Sequence, residues 1–289
     1  MRILITGAAG LVGSALVEHC SGIGDAVISY DHQGLDITDS GAVEAVIVNQ
    51  QPEAVINCAA WTNVDGCESD SEKARQSNAL GPENLARAAR KANATFITIS
   101  TDYVFDGEKE GFYTQRDLPQ PISVYGLSKL EGERKAQEAH ARTTVVRSGY
   151  IFGPAGRNFL STVISRAQRG EQLTAIADYW GTPTYGHDLA VRLRELASLD
   201  LPGVYHVVNS GEGASFETFT REAFKLAGLN GDAIGVVSGF ELNRPAPRPR
   251  NSRLKCLLSA AIGLTPLPPW QDALARFVET TRATRRSTA

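Results

Sequence analysis

Five short runs in the first half of the chain are almost continuously apolar or β-branched: Arg2–Thr6, Ala26–Asp31, Ala54–Ala60, Thr95–Thr101 and Thr143–Arg147. A strand with one wet face would alternate, so unbroken runs of this length predict strands covered on both faces. Helical windows lie between them: Leu11–Cys20, Gly41–Gln50, Ser71–Lys91 and Val124–His140. Repeated β-α alternation predicts a parallel sheet, wound right-handedly with helices on both sides. Past residue 150 the pattern loosens. It predicts helices over Asn158–Arg169, Tyr185–Leu199, Phe216–Ala227 and Trp270–Thr281, and one further strand over Val204–Asn209. In "NRPAPRPRNSRL" the prolines at 245, 247 and 249 exclude helix and central strand, so that segment is expected to be a loop.

Composition narrows the class without changing this picture. With 289 residues, 42% hydrophobic and 21% charged, the chain can bury a sizeable core. A formal net charge of −3 gives no electrostatic footprint for nucleic acid or an anionic membrane, so neither is expected as a partner. Four cysteines, at 20, 58, 67 and 256, form no C-x-x-C pair and read as buried thiols in a reducing compartment. The five histidines show no metal-ligand spacing, so no metal site is expected. The apolar stretch in "MRILITGAAG" is short, and no segment nears the ~20 apolar residues of a membrane span. The expected compartment is cytoplasmic.

The first β-α turn carries chemistry. "ILITGAAGLVGSALVEHC" sets Gly7, Gly10 and Gly13 between the first strand and the first helix. Such glycines allow a tight bend, a close backbone approach to a pyrophosphate, and close helix-strand packing, while the helix N-terminus offers N–H groups to the phosphates. The spacing G-x-x-G-x-x-G is one residue wider at the front than the commonest dinucleotide fingerprint, and is similar to that of the short-chain dehydrogenase/reductase superfamily. The second predicted strand ends at Asp31, near the ~20-residue offset of an acid that bonds the adenosine ribose. A 2′-phosphate would meet that carboxylate, and no Lys or Arg lies within 26–39 to offset it. The expected cofactor is therefore NADH or NADPH, with NADH favoured unless a basic residue such as Arg2 reaches in; an exposed strand-end Asp without a ligand is the plain alternative.

"TFITISTDYVFDG" begins as a buried strand and turns polar at Ser100, Thr101 and Asp102, while "SVYGLSKLEGE" places Tyr125 and Lys129 four apart on one helical face. Ketone reduction needs a hydride on one face of the carbonyl and a proton at its oxygen. A phenol of pKa near 10 suits the proton donor if a cation stabilises its anion. An ammonium about 4 Å away contributes on the order of 4 kcal/mol at an effective dielectric of ~20, before desolvation. Ligands of open α/β sheets lie beyond the carboxyl ends of the strands, where Thr101 would fix the substrate oxygen against Tyr125. The alternative makes Thr101 and Ser100 mere caps and Tyr125 a surface ring.

"GAAGLVG", "VINCAAWTNVDGCES", "STDYVFDG", "YGLSKLEGE", "YWGTPTYGHDLA" and "RPRNSRL" together resemble the dTDP-4-dehydrorhamnose reductase family of extended short-chain reductases, over residues 1 to about 260. The resemblance implies reduction of the 4-keto group of a dTDP-linked 6-deoxyhexulose to dTDP-L-rhamnose. It implies a catalytic set of Thr101, Tyr125 and Lys129, with Tyr125 as proton donor. It implies that Gly10, Leu11 and Val12 hold the pyrophosphate, that Asp36 and Ile37 form the adenine pocket, and that Ala60, Trp61 and Thr62 line the cofactor. Thr101, Asp102 and the aromatic Tyr150 would touch the sugar. The family usually has Trp at position 150 and His at position 61, and Tyr150 also reads as a plain core aromatic. Arg250, with Arg244, Arg248 and Arg253, could clamp the nucleotide diphosphate, or the loop could simply be solvated. Members can form a homodimer through a Mg2+-bridged acidic contact, for which this sequence offers no ligands.

The expected architecture is α/β: a Rossmann-type doubly wound parallel sheet over 1–150, and a smaller C-terminal α/β substrate-binding region over 151–289, with elements around 185–209 returning to the sheet. A related dehydratase would need an acid at position 103, which is Tyr. An epimerase or another nucleotide-sugar reductase stays open as an alternative. So does a non-catalytic dinucleotide-binding regulatory subunit, which would have no use for the Thr101, Tyr125 and Lys129 trio.

Overall fold

In a computed structural model the structure describes residues 1–231 and 234–286, so residues 287–289 of the expected C-terminal region lie outside it. The first half runs β1 (Arg2–Thr6), α1 (Leu11–Gly22), β2 (Ala26–Tyr30), α2 (Ser40–Gln50), β3 (Ala54–Asn57), α3 (Val64–Ser69), α4 (Ser71–Arg75), α5 (Gly81–Lys91), β4 (Thr95–Thr101), α6 (Val124–Ala139) and β5 (Thr143–Ser148). The second half runs β6 (Ile151–Phe152), α7 (Phe159–Gln168), β7 (Leu173–Ile176), β8 (Trp180–Gly181), β9 (Thr184–Tyr185), α8 (Gly186–Leu199), β10 (Gly203–His206), β11 (Ala214–Ser215), α9 (Phe216–Ala227), β12 (Ile234–Val237), α10 (Leu257–Ala261) and α11 (Trp270–Arg286).

Six parallel strands form the central sheet in the order β10-β5-β4-β3-β1-β2. Alternation within each apolar run explains why both faces are covered. Ile3, Ile5, Ile56 and Ile97 point to the side of α1 and α8, where they meet Leu16, Leu189 and Leu193. Leu4, Val55 and Phe96 point to the other side, onto Val43, Ile47, Leu85 and Ala136 of α2, α5 and α6. The sheet is thus doubly wound, and the strand β10 from the second half completes it beside β5. A separate core around Phe152, Val163, Phe219, Leu274 and Phe277 joins α7, α9 and α11 into the smaller lobe.

The order reverses between β1 and β3, which opens the crevice at the carboxyl ends of the strands where ligands of such sheets sit. Two predicted strands are shorter than expected there, for local reasons. The strand β2 stops at Tyr30 because the Asp31 carboxylate accepts the N–H groups of Gln33 and Gly34 at 3.0 and 2.9 Å, starting a turn. The strand β3 stops at Asn57 because residues 58–60 leave the sheet to pass beside Gly7, where a Cβ would lie 2.6 Å from the Ala59 nitrogen.

The helix expected over Ser71–Lys91 is divided. Residues Gln76–Leu80 form a π-helical turn between α4 and α5. Pro82 has no N–H for the carbonyl of Asn78, so the ladder widens there. The displaced Asn78 side chain takes up the Trp61 backbone from both sides, accepting its N–H at 2.8 Å and donating to its carbonyl at 3.0 Å. The short pairs β6–β9, β8–β11 and β7–β12 and the helices α3 and α10 have no counterpart in the predicted elements, because runs of two to six residues carry no readable period.

Candidate active site

The turn after β1 is built on Gly7, whose φ of 67° is left-handed, and it closes with the Gly10 N–H on the Gly7 carbonyl at 3.0 Å. Gly13 does not face a ligand: a Cβ there would sit 2.1 Å from the Gly7 carbonyl oxygen, so its bareness serves the packing of α1 against the turn. Among the described residues no side chain caps α1, whose N-cap is Gly10, so its first N–H groups remain open to an anion.

A cavity of about 430 Å³ lies on one side of this turn, lined by Gly7, Gly10, Asp31, Asp36, Ile37, Ala60 and Trp61. Lys73 and His32 also reach it, the Lys73 ammonium lying 4.6 Å over the Trp61 ring. Lys73 does not follow from a local reading of 26–39, because it arrives from α4, whereas His32 lies within that span, in the turn after β2. Arg2, the expected alternative cation, is instead bound to the Gln50 carbonyl and side chain at 2.7 and 2.8 Å.

A second cavity of about 460 Å³ continues from the first, sharing Gly10 and Ala60 and adding Leu11, Val12, Thr62, Thr101, Asp102, Tyr125, Lys129 and Tyr150. The structure thus brings together all the expected site residues in one cleft, except Gly13 and Arg250. Ser123 caps α6 by accepting the Gly126 N–H at 3.1 Å, which fixes Tyr125 in the first turn. Gly132 lets the same helix lie against the π turn, since a Cβ would meet the Asn78 carbonyl at 2.1 Å.

Burial governs the electrostatics of this cavity. Thr101 donates to Asp102 at 3.0 Å and accepts the Tyr103 N–H at 3.1 Å, so it does cap the following turn while also facing the cleft. Burial raises the Asp102 carboxyl to about 6, against the hydroxyls of Ser252 and Thr101, which favour its anion. Burial likewise pushes the Tyr125 phenol well above its ordinary value; the Thr101 hydroxyl pulls it back, and Asp102, Tyr103 and Cys67 push it further up. Burial lowers the Lys129 ammonium to about 8, opposed by Glu133 and Cys58. The expectation of an acidic phenol meets the opposite direction here, because burial dominates it; Lys129 is itself desolvated, and its Nζ donates to the Ile99 carbonyl at 2.7 Å.

Tyr150 combines the two readings its sequence position allowed. It lines the cavity and packs against Phe216 at 4.7 Å between ring centroids. Its φ of 45° is rare for a bulky residue, and its ring occupies space left free at Gly181. Its phenol donates to the Tyr179 carbonyl at 3.2 Å.

Three of the four loop arginines face different partners. Arg248 makes a bidentate pair with Asp65, at 3.0 and 2.8 Å. Arg253 lies between the rings of Phe112 and Trp180. Arg250 lies 4.1 Å over Phe240, outside the walls of the cavity. These side chains are drawn apart because each finds a carboxylate or ring on a different element. The loop is nevertheless not free in solvent: Ser252 bonds the Asp102 carboxylate, and Asn251 donates to the carbonyls of Lys109 and Gly111 at 2.6 and 2.7 Å. Sequence reasoning missed Ser252, because nothing in "RPRNSRL" indicates that it comes back over the end of β4.

No group of three or more His, Cys, Asp or Glu side chains among the described residues could hold a metal ion, and no described helix is long and apolar enough to cross a membrane.

Three comparisons bear on this cleft. A family model described as the RmlD substrate binding domain matches residues 1–283. A dTDP-4-dehydrorhamnose reductase of Mycolicibacterium smegmatis is 37% identical over 276 residues, covering 94% of this chain and 84% of that protein. The crystal structure of a dTDP-4-dehydrorhamnose reductase from Clostridium acetobutylicum superposes with a TM-score of 0.92 at 35% identity, covering 98% of this chain and 100% of the other. That of Bacillus anthracis, in complex with NADP, gives 0.91 at 35% identity over 96% and 98%.

Proposed function

We propose, from the premise that this chain belongs to the RmlD substrate binding domain family of dTDP-4-dehydrorhamnose reductases, that it reduces the 4-keto group of a dTDP-linked 6-deoxyhexulose to give dTDP-L-rhamnose. The observation that carries the reading is the continuity of the two cavities: the glycine turn and α1 N-terminus in one open directly onto Tyr125, Thr101 and Lys129 in the other. A nicotinamide cofactor bound there would supply the hydride.

The chain's own groups do the rest. Burial keeps the phenol in its protonated form at neutral pH, and it delivers its proton to the strongly basic substrate oxygen as negative charge develops there. The Thr101 hydroxyl steadies that oxygen and stabilises the phenolate left behind. Lys129, one helical turn from Tyr125, is cationic below about pH 8 and offsets the charge that appears only during the step. Tyr150 and Asp102 bound the sugar, and the main-chain N–H groups at Gly10, Leu11 and Val12 take the pyrophosphate.

In this reading residues 1–150, with the elements around 185–209, hold the cofactor, and the remainder of 151–289 shapes the sugar end. NADH is favoured through Asp31, while Lys73 gives a 2′-phosphate a nearby cation. The B. anthracis relative holds NADP, so both cofactors are arms of the test. Four free cysteines suit a reducing cytoplasm. The protein acts as a monomer or a homodimer.

The test is to supply dTDP-, UDP- and GDP-linked 4-keto-6-deoxy sugars with NADH or NADPH and to follow loss of the reduced nicotinamide absorbance. Turnover fastest with the dTDP sugar is expected. Binding of cofactor without turnover of any of them would favour the regulatory subunit instead, and tightly retained cofactor with interconversion of epimers would favour an epimerase.

A further inference from the structure

Three buried groups that the reduction as described does not use stand together at the cleft, Ser100 on its lining and Glu133 and Arg147 behind it. Ser100, Glu133 and Arg147 are 5%, 3% and 6% exposed. Glu133 accepts the Ser100 hydroxyl at 2.5 Å, and Arg147 grips the same carboxylate bidentately at 2.9 and 2.6 Å. The Arg147 guanidinium also lies 5.3 Å over the Phe105 ring. A buried ion pair gains little stability over a well-packed apolar pair of similar size, because the attraction must first repay desolvation. Packing alone therefore does not explain these residues.

Their placement suggests what does. Tyr125, Lys129 and Glu133 follow one another at intervals of four along α6 and form a single stripe. Each docks on a neighbouring residue of β4: Tyr125 meets the Thr101 hydroxyl, Lys129 bonds the Ile99 carbonyl, and Glu133 bonds the Ser100 hydroxyl. Across the sheet, Ser100 is paired with Arg147 and Thr101 with Ser148, so the Glu133–Arg147 pair ties α6 to both strands directly beside the lining residues Ser100 and Ser148.

We infer that Glu133 is a positioning residue for the reduction: anchored by Arg147, it fixes the end of β4 beneath Thr101 and sets its carboxylate one helical turn from Lys129. This rests on the reading of Tyr125 and Lys129 as the reaction pair. The groups facing Lys129 are Cys58 from the segment after β3, Tyr125 and Glu133 from its own helix, and Arg147 from β5 behind Glu133; Asp102 and Tyr103 stand beyond Tyr125. Glu133 is the acid among them that favours the ammonium.

The test uses the full-length protein and two variants, Glu133→Gln and the double variant Glu133→Gln/Arg147→Met. The double variant removes both charges and avoids the unpaired guanidinium that could unfold the single one. Nitrogen-15 NMR of the Lys129 amine, assigned with Lys129→Met, reads its proton independently of turnover. Glu133→Gln is expected to lose that proton about one pH unit lower than the parent and the double variant by a smaller step in the same direction, since the nearer carboxylate outweighs the guanidinium behind it, and the alkaline limb of kcat/KM moves down accordingly. The expected fall in kcat is about tenfold, with KM for the sugar changed less than twofold and cofactor binding unchanged. A folded double variant whose Lys129 titrates as in the parent overturns the inference. A parent protein that titrates as described but reduces no 4-keto sugar strikes the reductase reading instead, and the amine titration still decides the role of Glu133.

Discussion

The two ends of the cleft are built by opposite means. At the reaction end the groups that matter sit on regular elements and are almost entirely buried: Thr101 on β4 and Lys129 on α6 are 5% and 4% exposed, and the ring of Tyr125 reaches 9%. At the end proposed for the adenosine, Asp31, His32 and Asp36 ride on an exposed turn, and the carboxylates of Asp31 and Asp36 accept N–H groups of that turn. Burial moves the acids and bases of the first end far from their ordinary values, whereas the Asp36 carboxyl is lowered by its hydrogen bond to the Thr38 backbone. The difference teaches where specificity can be altered cheaply. The reaction end is coupled to the core and its chemistry comes from exclusion of water, while the adenosine end tolerates exchange of side chains at little cost to the fold.

That contrast can be broken or sharpened by substitution. The largest expected effect is at Tyr125. Replacing it by Phe removes only the hydroxyl, and should lower kcat by ~10²- to 10⁴-fold while leaving cofactor affinity within about twofold, as read by turnover and by nicotinamide fluorescence. Undiminished turnover would remove the assigned proton donor.

Next comes Asp102. Its folded-state carboxyl is raised to about 6 from 3.8, so the native state binds the proton more tightly than the unfolded chain does. The stability this confers is fully present below about pH 4 and is lost as the pH rises through about 6. Asp102→Asn does not titrate. Its stability relative to the parent should therefore grow from pH 4 to pH 7 by about 2 kcal/mol. Urea unfolding across that range measures it, and a difference that is flat with pH would deny that the carboxyl is held out of water.

At the other end of the cleft the effects should be smaller and confined to ligand choice. Asp31→Ala is expected to shift the ratio of kcat/KM for NADPH over NADH upward by about tenfold, with unchanged thermal stability. An unchanged ratio would mean that Lys73, and not Asp31, sets the preference. The smallest effect belongs to the strap between the 244–254 loop and α3. Asp65 in the Arg248 pair is 38% exposed, so its partner's removal in Arg248→Ala should cost only ~1 kcal/mol or less. The expected reading is a KM for the sugar a few-fold higher with little change in kcat.

The same contrast explains what could be read from the sequence. The strands β1 and β4 and the helix α9 fall where the apolar runs put them, because a strand buried on both faces or a strongly one-sided helix leaves an unmistakable pattern. The reaction end was legible because its residues lie close along the chain on such elements, four apart on α6 or at the tip of β4. What stayed hidden depends on distant pieces of chain meeting. Lys73 reaches the first cavity from α4, far along the chain from the strand that ends at its mouth, and Ser252 reaches Asp102 from 150 positions away. The partners of the loop arginines stayed hidden for the same reason, since Asp65 for Arg248 and Phe240 for Arg250 come from different parts of the chain. The upward shift of the phenol was missed because spacing along a helix says nothing about how deeply both groups are desolvated.

The central claim is that the reaction end holds a phenol kept protonated by burial until substrate arrives. Carbon-13 NMR of ring-labelled tyrosine, with Tyr125→Phe for assignment, tests it in the ligand-free protein. The account predicts that the Tyr125 Cζ resonance stays at its phenol position past pH 10 while the folded state persists. A midpoint below 10 would show the hydroxyl already ionising in water-like surroundings, and would contradict it.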